Sequence, residues 1–318
     1  MELKKIRKIF SRFLGRVGLN ICALIVKVMP AKWLYGFAKI VSSLAYRFAI
    51  KHKRIALDGL RVAFGGEKSE AELDKIVKDC FDFLAKSAVE LMFLMDKPEL
   101  LKSKVDLVGR ENLDNALAKK NGVILVSAHF GNFPLLLGRL AVEGYKSSGI
   151  MRPMRDSRVE KIFLEKRNKF GVQTIYSQPR NVCVNETIQA LRDNALVFIP
   201  IDQNFGTAGV FVNFFGRQAA TATGPVIFAQ RTKAALVPCF IIRQKDDRHK
   251  IIFEPALDLV EGKDAKETIL INIQKLTDII EIYIRRYPAE WGWIHRRWKS
   301  QPSKRGGEDN GRRDQERR

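Results

Sequence analysis

His129 lies near the end of a short apolar run, GVILVSAHF (residues 122–130), and is followed by the turn GNFP and an apolar stretch with helical spacing. An imidazole at the carboxyl end of a buried strand has a near-neutral pKa and can act as a general base. Two more polar residues hold equivalent positions. Arg152 follows the β-rich run 148–151, and Asp202 follows the run 195–201. In a parallel sheet the carboxyl ends of the strands form one edge, where active sites gather. A lone histidine is more often structural than catalytic, and a lone Arg or Asp at a strand end is more often a solvated ion pair. Three such residues on one expected edge favour the chemical reading. They suit acyl transfer to a hydroxyl: His129 takes the proton of the attacking alcohol, and cationic or N–H donors stabilise the tetrahedral oxyanion. Arg152 serves there or holds an acidic headgroup. An acceptor that attacks directly needs no protein nucleophile, and the sequence has no G-x-S-x-G.

The elements that must position these residues follow from the hydrophobic pattern. Short β-rich runs at 123–127, 148–151, 172–176, 195–201, 235–243 and 250–253 alternate with helical stretches at 134–143, 156–170, 182–193 and 224–233. Such alternation predicts an α/β fold, with a central, mostly parallel sheet flanked by helices. Upstream, residues 67–95 read as one or two amphipathic helices with Ser69 as a cap. Downstream, a helix over 265–287 ends before Pro288. The expected organisation is a basic apolar membrane-anchoring segment (1–54), an α/β domain (55–300) and a disordered charged tail without apolar residues (301–318).

The net charge of +21 calls for a polyanionic partner. Its distribution points to lipid. Residues 1–54 hold thirteen Lys and Arg against one acid, Glu2, and are rich in large apolar residues. On a helical wheel Ile6, Ile9, Phe10, Phe13, Leu14 and Val17 oppose Lys4, Lys5, Arg7, Lys8, Arg12 and Arg16. A basic amphipathic helix of this kind lies in a membrane interface with its cations toward anionic headgroups. The longest uncharged run in this segment, 17–26, is shorter than the roughly 20 residues that span a bilayer, which leaves a single tilted span with a snorkelling Lys27 as the alternative to an interfacial segment. The expectation is attachment to an anionic cytoplasmic leaflet, not binding of nucleic acid. Cys22, Cys80, Cys183 and Cys239 lack metal-ligand spacing and read as free thiols, and no phosphate-binding loop is visible, so neither metal nor cofactor is called for.

The runs SAHFGNFP (127–134), GIMRPM (149–154), PIDQNFG (200–206), GVFVNFFGRQAATATGP (209–225), LVPCFIIR (236–243) and YPAEWGWIHRRWK (287–299) together resemble the bacterial lipid A biosynthesis acyltransferases of the lauroyl and myristoyl type. These belong to the lysophospholipid acyltransferase superfamily. The resemblance implies an inner-membrane enzyme facing the cytoplasm. It would move a fatty acyl chain from acyl carrier protein to a hydroxyl of a Kdo–lipid A precursor, a glycolipid. It also implies a carboxylate five residues after His129, where this chain has Pro134. Glu143 is roughly 14 Å further along the helix and cannot replace it. Asp202, on the same sheet edge, is the better substitute, and Asn132 is a second candidate for orienting His129. The dipole of a helix starting near Pro134 opposes a protonated His129, which strengthens the expectation of a nearby anion.

The remaining motif residues have two readings each. Thr221 and Thr223 face the donor or the oxyanion, or Thr223 merely caps a helix. Arg217 and Arg231 bind a lipid phosphate, or are surface cations. Trp291, Trp293, His295, Arg296, Arg297 and Trp298 read as an interfacial aromatic and basic cluster, with a core edge as the alternative. His52 and His249 read as bystanders in charged, loop-like settings. Two alternatives to the main function stay open: another lipid acceptor (a lysophospholipid or an amino-acid lipid), or an inactive membrane-binding relative.

Overall fold

A computed structural model of the chain describes residues 17–302, apart from 19 and 155. Residues 20–28 are helical, and a 3-10 turn (Ala31–Trp33) leads into α1 (Leu34–Phe48), α2 (Ile50–Phe64) and α3 (Glu70–Leu94). Then come α4 (Pro98–Lys104), β1 (Val105–Val108), α5 (Arg110–Ala118), β2 (Val123–Ser127), α6 (Phe133–Val142), β3 (Ser147–Met151), α7 (Ser157–Lys169), β4 (Val172–Tyr176), α8 (Arg180–Arg192) and β5 (Leu196–Pro200). A hairpin of β6 (Val210–Phe214) and β7 (Arg217–Thr221) precedes α9 (Gly224–Thr232), β8 (Ala235–Arg243), β9 (His249–Phe253) and α10 (Ala265–Arg286).

Seven strands form one sheet in the order β1-β9-β8-β2-β5-β3-β4, and every neighbouring pair is parallel except β8 with β9. This is the expected mostly parallel α/β sheet. β2 is buried along its whole length, as a central parallel strand must be. Its side chains alternate between two cores. Ile124 and Val126 join Leu60, Val77 and Ile273 on one face, while Val123 and Leu125 join Leu113 and Leu136 on the other. Ser69 does cap α3: its side chain accepts from Glu72 N–H while the Glu72 carboxylate accepts from Ser69 N–H, so residues 67–95 make one helix starting at Glu70.

Several expectations need correction. Trp291 and Trp293 are 2% and 1% exposed and Arg297 is 1% exposed, so this cluster belongs largely to the core edge, not to an interface. Trp291 packs edge-on against Trp293 and Phe214, and burial of that much aromatic surface outweighs placement at a headgroup layer. His249 is not in a loop: it opens β9 and is buried. His52 is on α2. Thr223 makes no side-chain capping bond, and Pro225 at the start of α9 removes one of the donors a cap would serve. The β6–β7 hairpin carries no familiar turn signal in the sequence, because its turn uses Phe215 and Gly216, both with positive φ, instead of an Asn-Gly pair. Cys80, Cys183 and Cys239 are buried and free; Cys22 is half-buried and free.

The expected N-terminal helix up to residue 16 lies outside the described residues, as does most of the charged tail. The expected boundary at residue 54 falls within α2, whose Ala56, Leu60, Ala63 and Phe64 pack into the main core. Among the described residues no helix is long and apolar enough to cross a membrane. Val17, Ile21, Leu24 and Val28 are exposed, as are Trp33, Ile40, Leu44 and Phe48. On α1 the last three repeat every four residues, which places them on one helix face.

Candidate active site

The register of the sheet explains how two residues distant in sequence come together. Ser127 at the end of β2 pairs with Pro200 at the end of β5, and Ile201 N–H extends that ladder to Ser127 O at 3.1 Å. His129 and Asp202 each lie two residues beyond that pair. Parallel neighbours in register therefore carry the two side chains to the same place. His129 Nδ1 is 2.8 Å from Asp202 Oδ1, and Asp202 Oδ2 accepts a hydrogen bond from Trp291 Nε1 at 2.7 Å.

The turn after His129 is fixed by sterics. Gly131 has φ +61°, and a Cβ there would meet Ile241 O at 1.8 Å, so glycine is required. Gly131 N–H donates to Glu290 O, and Gly292 N–H donates to His129 O at 3.1 Å. The segment after α10 thus straps the turn from below. Sequence reasoning assigned no role in the site to Trp291 or to the main chain of this strap, because partners so remote in sequence leave no spacing signal.

The electrostatics follow from this packing. Burial disfavours the charged imidazole, but the Asp202 carboxylate outweighs it and raises the His129 pKa above its ordinary value. Burial likewise works against the Asp202 anion, yet His129 and the Trp291 N–H hold its pKa below the usual carboxylate range. With Nδ1 bonded to Asp202, Nε2 is the nitrogen free to exchange a proton. The His129 side chain is 32% exposed, and it lines a cavity of about 630 Å³. The ring of Phe133 meets His129 edge-on and stacks on Phe198. From there the cavity follows α6 through Pro134 and Gly138 to Leu101 and Phe170. Its walls are mainly apolar, and Arg152 and Gln203 share its lining with His129. A long hydrocarbon chain suits such walls, with its reactive end at the imidazole.

The structure therefore brings together His129, Asp202 and Arg152, from the adjacent strands β2, β5 and β3. It separates the others. The Asn132 amide donates to Ser87 O at 3.1 Å and to Glu90 Oε2 at 3.3 Å, so it anchors the turn to α3 and does not orient His129. Glu90 is itself buried and bonded by Arg243, His249 and Tyr35. Thr221 is buried, donating to Ala219 O and accepting from Arg297 Nη2 at 2.5 Å. Thr223 is half-buried at the start of α9. Arg217 and Arg231 are exposed and do not line the cavity, and among the described residues neither takes an ion pair. Glu143, nine residues along α6 from Pro134, pairs with Lys102, Arg110 and Arg139. Among the described residues no cluster of His, Cys, Asp or Glu is arranged to hold a metal.

The family profile described as bacterial lipid A biosynthesis acyltransferase matches residues 4–300. A lipid A biosynthesis lauroyltransferase of Escherichia coli (strain K12) is 26% identical over 291 residues, which is 90% of this chain and 91% of that protein. A phosphatidylinositol mannoside acyltransferase of Mycobacterium tuberculosis (strain CDC 1551 / Oshkosh) is 26% identical over 191 residues, 60% of this chain and 58% of that one. Among solved structures, a 1-acyl-sn-glycerophosphate acyltransferase from Thermotoga maritima aligns with 78% of this chain and 97% of its own, at TM-score 0.37 and 11% identity. That likeness is too distant to carry an argument.

Proposed function

This chain belongs to the family of bacterial lipid A biosynthesis acyltransferases, and from that membership we propose that it moves a fatty acyl chain from an acyl carrier protein thioester to a hydroxyl of a Kdo–lipid A precursor. The observation that carries the proposal is the His129–Asp202 pair, 2.8 Å apart, with His129 on the wall of a mainly apolar cavity of about 630 Å³.

In the proposed reaction Nε2 of His129 takes the proton of the acceptor hydroxyl as its oxygen bonds to the thioester carbon. Asp202 stabilises the imidazolium that forms, in the manner of an acid–histidine pair. Collapse of the tetrahedral intermediate breaks the carbon–sulfur bond, and the imidazolium returns the proton to the departing thiolate of the carrier. Arg152 supplies positive charge at the same cavity, for the oxyanion or for an acidic headgroup. In this reading Asp202 performs the task that a carboxylate at position 134 would perform, and Pro134 leaves the cavity wall apolar.

The exposed apolar residues of the N-terminal helices, interspersed with Lys27, Lys32, Lys39 and Arg47, support seating on the anionic cytoplasmic leaflet of the inner membrane. The strongly basic chain also complements an acidic carrier protein. A second reading, transfer to a different lipid acceptor, is favoured by the similarity to a relative named for phosphatidylinositol mannoside.

The test is transfer by the purified protein, using labelled acyl carrier protein thioesters and a Kdo-containing precursor beside the His129→Ala variant. Transfer that disappears in the variant supports the reading. Transfer only to other lipids would shift the acceptor, and no transfer from folded, vesicle-bound protein would indicate an inactive relative.

A further inference from the structure

Beside the cavity at His129 lies a second recess of about 560 Å³. It runs between the helical residues 20–28, the end of α3 and one face of α7, with Leu24, Val26, Met92, Phe93 and Ile162 among its walls. Met95 and Phe163 line both recesses and so form a common wall between them. Leu24 and Ile162, 65% and 39% exposed, lie on its outer side.

Its charged residues are mostly of one sign. Lys27, Lys97 and Lys166 line it, against a single acid, Asp96. Asp96 is already bonded to Lys166 and Lys169, at 3.1 and 3.0 Å. The Lys97 ammonium lies 3.2 Å from the centroid of the Phe93 ring, and Lys27 takes no ion pair among the described residues. An apolar slot with excess cations suits a hydrocarbon chain that carries an anionic headgroup.

We propose that this recess holds a hydrocarbon chain of the anionic lipid acceptor, while the neighbouring cavity holds the chain of the donor. The inference rests on the acyltransferase reading, and its logic is that of two lipidic substrates. Both must keep their chains out of water at the same time. A wall shared by two recesses lets each chain be bound without blocking the other. The recess also lies beside the exposed apolar face of residues 20–28, the side on which a membrane lipid would arrive.

The experiment introduces an indole into the recess with Phe93→Trp in the full chain, in detergent, and measures quenching by phosphatidylglycerol with brominated acyl chains. Wild-type protein gives the background from its own tryptophans. The expected result is saturable extra quenching, weaker with brominated phosphatidylcholine and reversed by unlabelled acceptor precursor. No extra quenching, equal quenching by both lipids, or failure of the acceptor to displace the probe would overturn the proposal. In a kinetic arm, Ile162→Glu should raise the acceptor KM about tenfold, the equivalent of roughly two buried methylenes, with the donor KM unchanged. Val182→Glu, on α8 outside both recesses, should change neither. Quenching without any transfer by the wild type would refute the reaction and leave the recess as a lipid site. Transfer without quenching would refute the recess alone.

Discussion

Among the described residues two histidine–carboxylate pairs are built from the same groups and placed in opposite circumstances. His249 Nε2 lies 3.1 Å from Glu90, is 1% exposed, and shares that carboxylate with both terminal nitrogens of Arg243 and with the Tyr35 hydroxyl. Burial pushes the Glu90 pKa up, but the bonds from His249 and Arg243 outweigh it and hold it at about 2. His129, at 2.8 Å from Asp202, shares its carboxylate with the neutral Trp291 N–H, and among the described residues no Lys or Arg forms an ion pair with Asp202. One pair is closed off and neutralised. The other keeps a free nitrogen in a cavity and an anion whose charge is available to an imidazolium. The pairing alone does not make a histidine chemical; what else the carboxylate serves, and whether the ring reaches a substrate, decide it.

The largest expected effect breaks the open pair. His129→Ala should lower the transfer rate by about 10²–10⁴, the usual range for loss of a general base, with the fold intact by circular dichroism. His249→Ala should leave the rate within a few fold. Asp202→Asn should come next, with a loss of about 10² or more, because the wrong tautomer is favoured and the imidazolium loses its counter-ion. Adding Pro134→Glu to Asp202→Asn should recover part of that loss if position 134 can supply the missing anion. Recovery no better than with Pro134→Gln would show that charge at that position is irrelevant.

Breaking the closed pair should register as stability. Glu90→Gln leaves Arg243 with only the half-buried Asp247 as counter-charge and should cost about 3 kcal/mol in chemical denaturation, the lower end for a broken buried pair, with a much smaller effect on kcat. The smallest effect is one of selectivity. Gly138 lines the cavity, and a Cβ there would lie 3.4 Å from Leu101 and 3.9 Å from Phe170, so the position has room for a side chain only at the cavity's expense. Gly138→Leu should shift the preferred donor toward shorter acyl chains, read from kcat/KM across a chain-length series.

How much of this was legible in the sequence depended on locality. His129, Arg152 and Asp202 could be found because each follows an apolar run, and a parallel sheet turns that local fact into a shared edge. The alternation of runs likewise exposed the fold class. The role of Asn132 is not legible locally, because its direction is set by Glu90 and Ser87 on α3, more than forty residues upstream. Trp291 and Arg297 looked interfacial because composition alone does not tell a buried strap from a membrane belt. The hairpin 210–221 is hidden in the sequence because Phe215 occupies a backbone region that its residue type rarely visits.

In the proposed mechanism Asp202 does for His129 what a helix carboxylate at position 134 would do. The most direct measurement is the pH dependence of kcat/KM for acyl transfer by the wild type and by Asp202→Asn. In the folded protein burial lowers the His129 pKa but Asp202 outweighs it and raises it, so the neutral base accumulates at higher pH than for an unperturbed imidazole, and the wild-type rate should rise with it. Removing the carboxylate charge should lower the pKa and move that ascending limb to lower pH, with a smaller plateau. A limb that stays in place, with an undiminished plateau, would show that Asp202 does not set the basicity of His129.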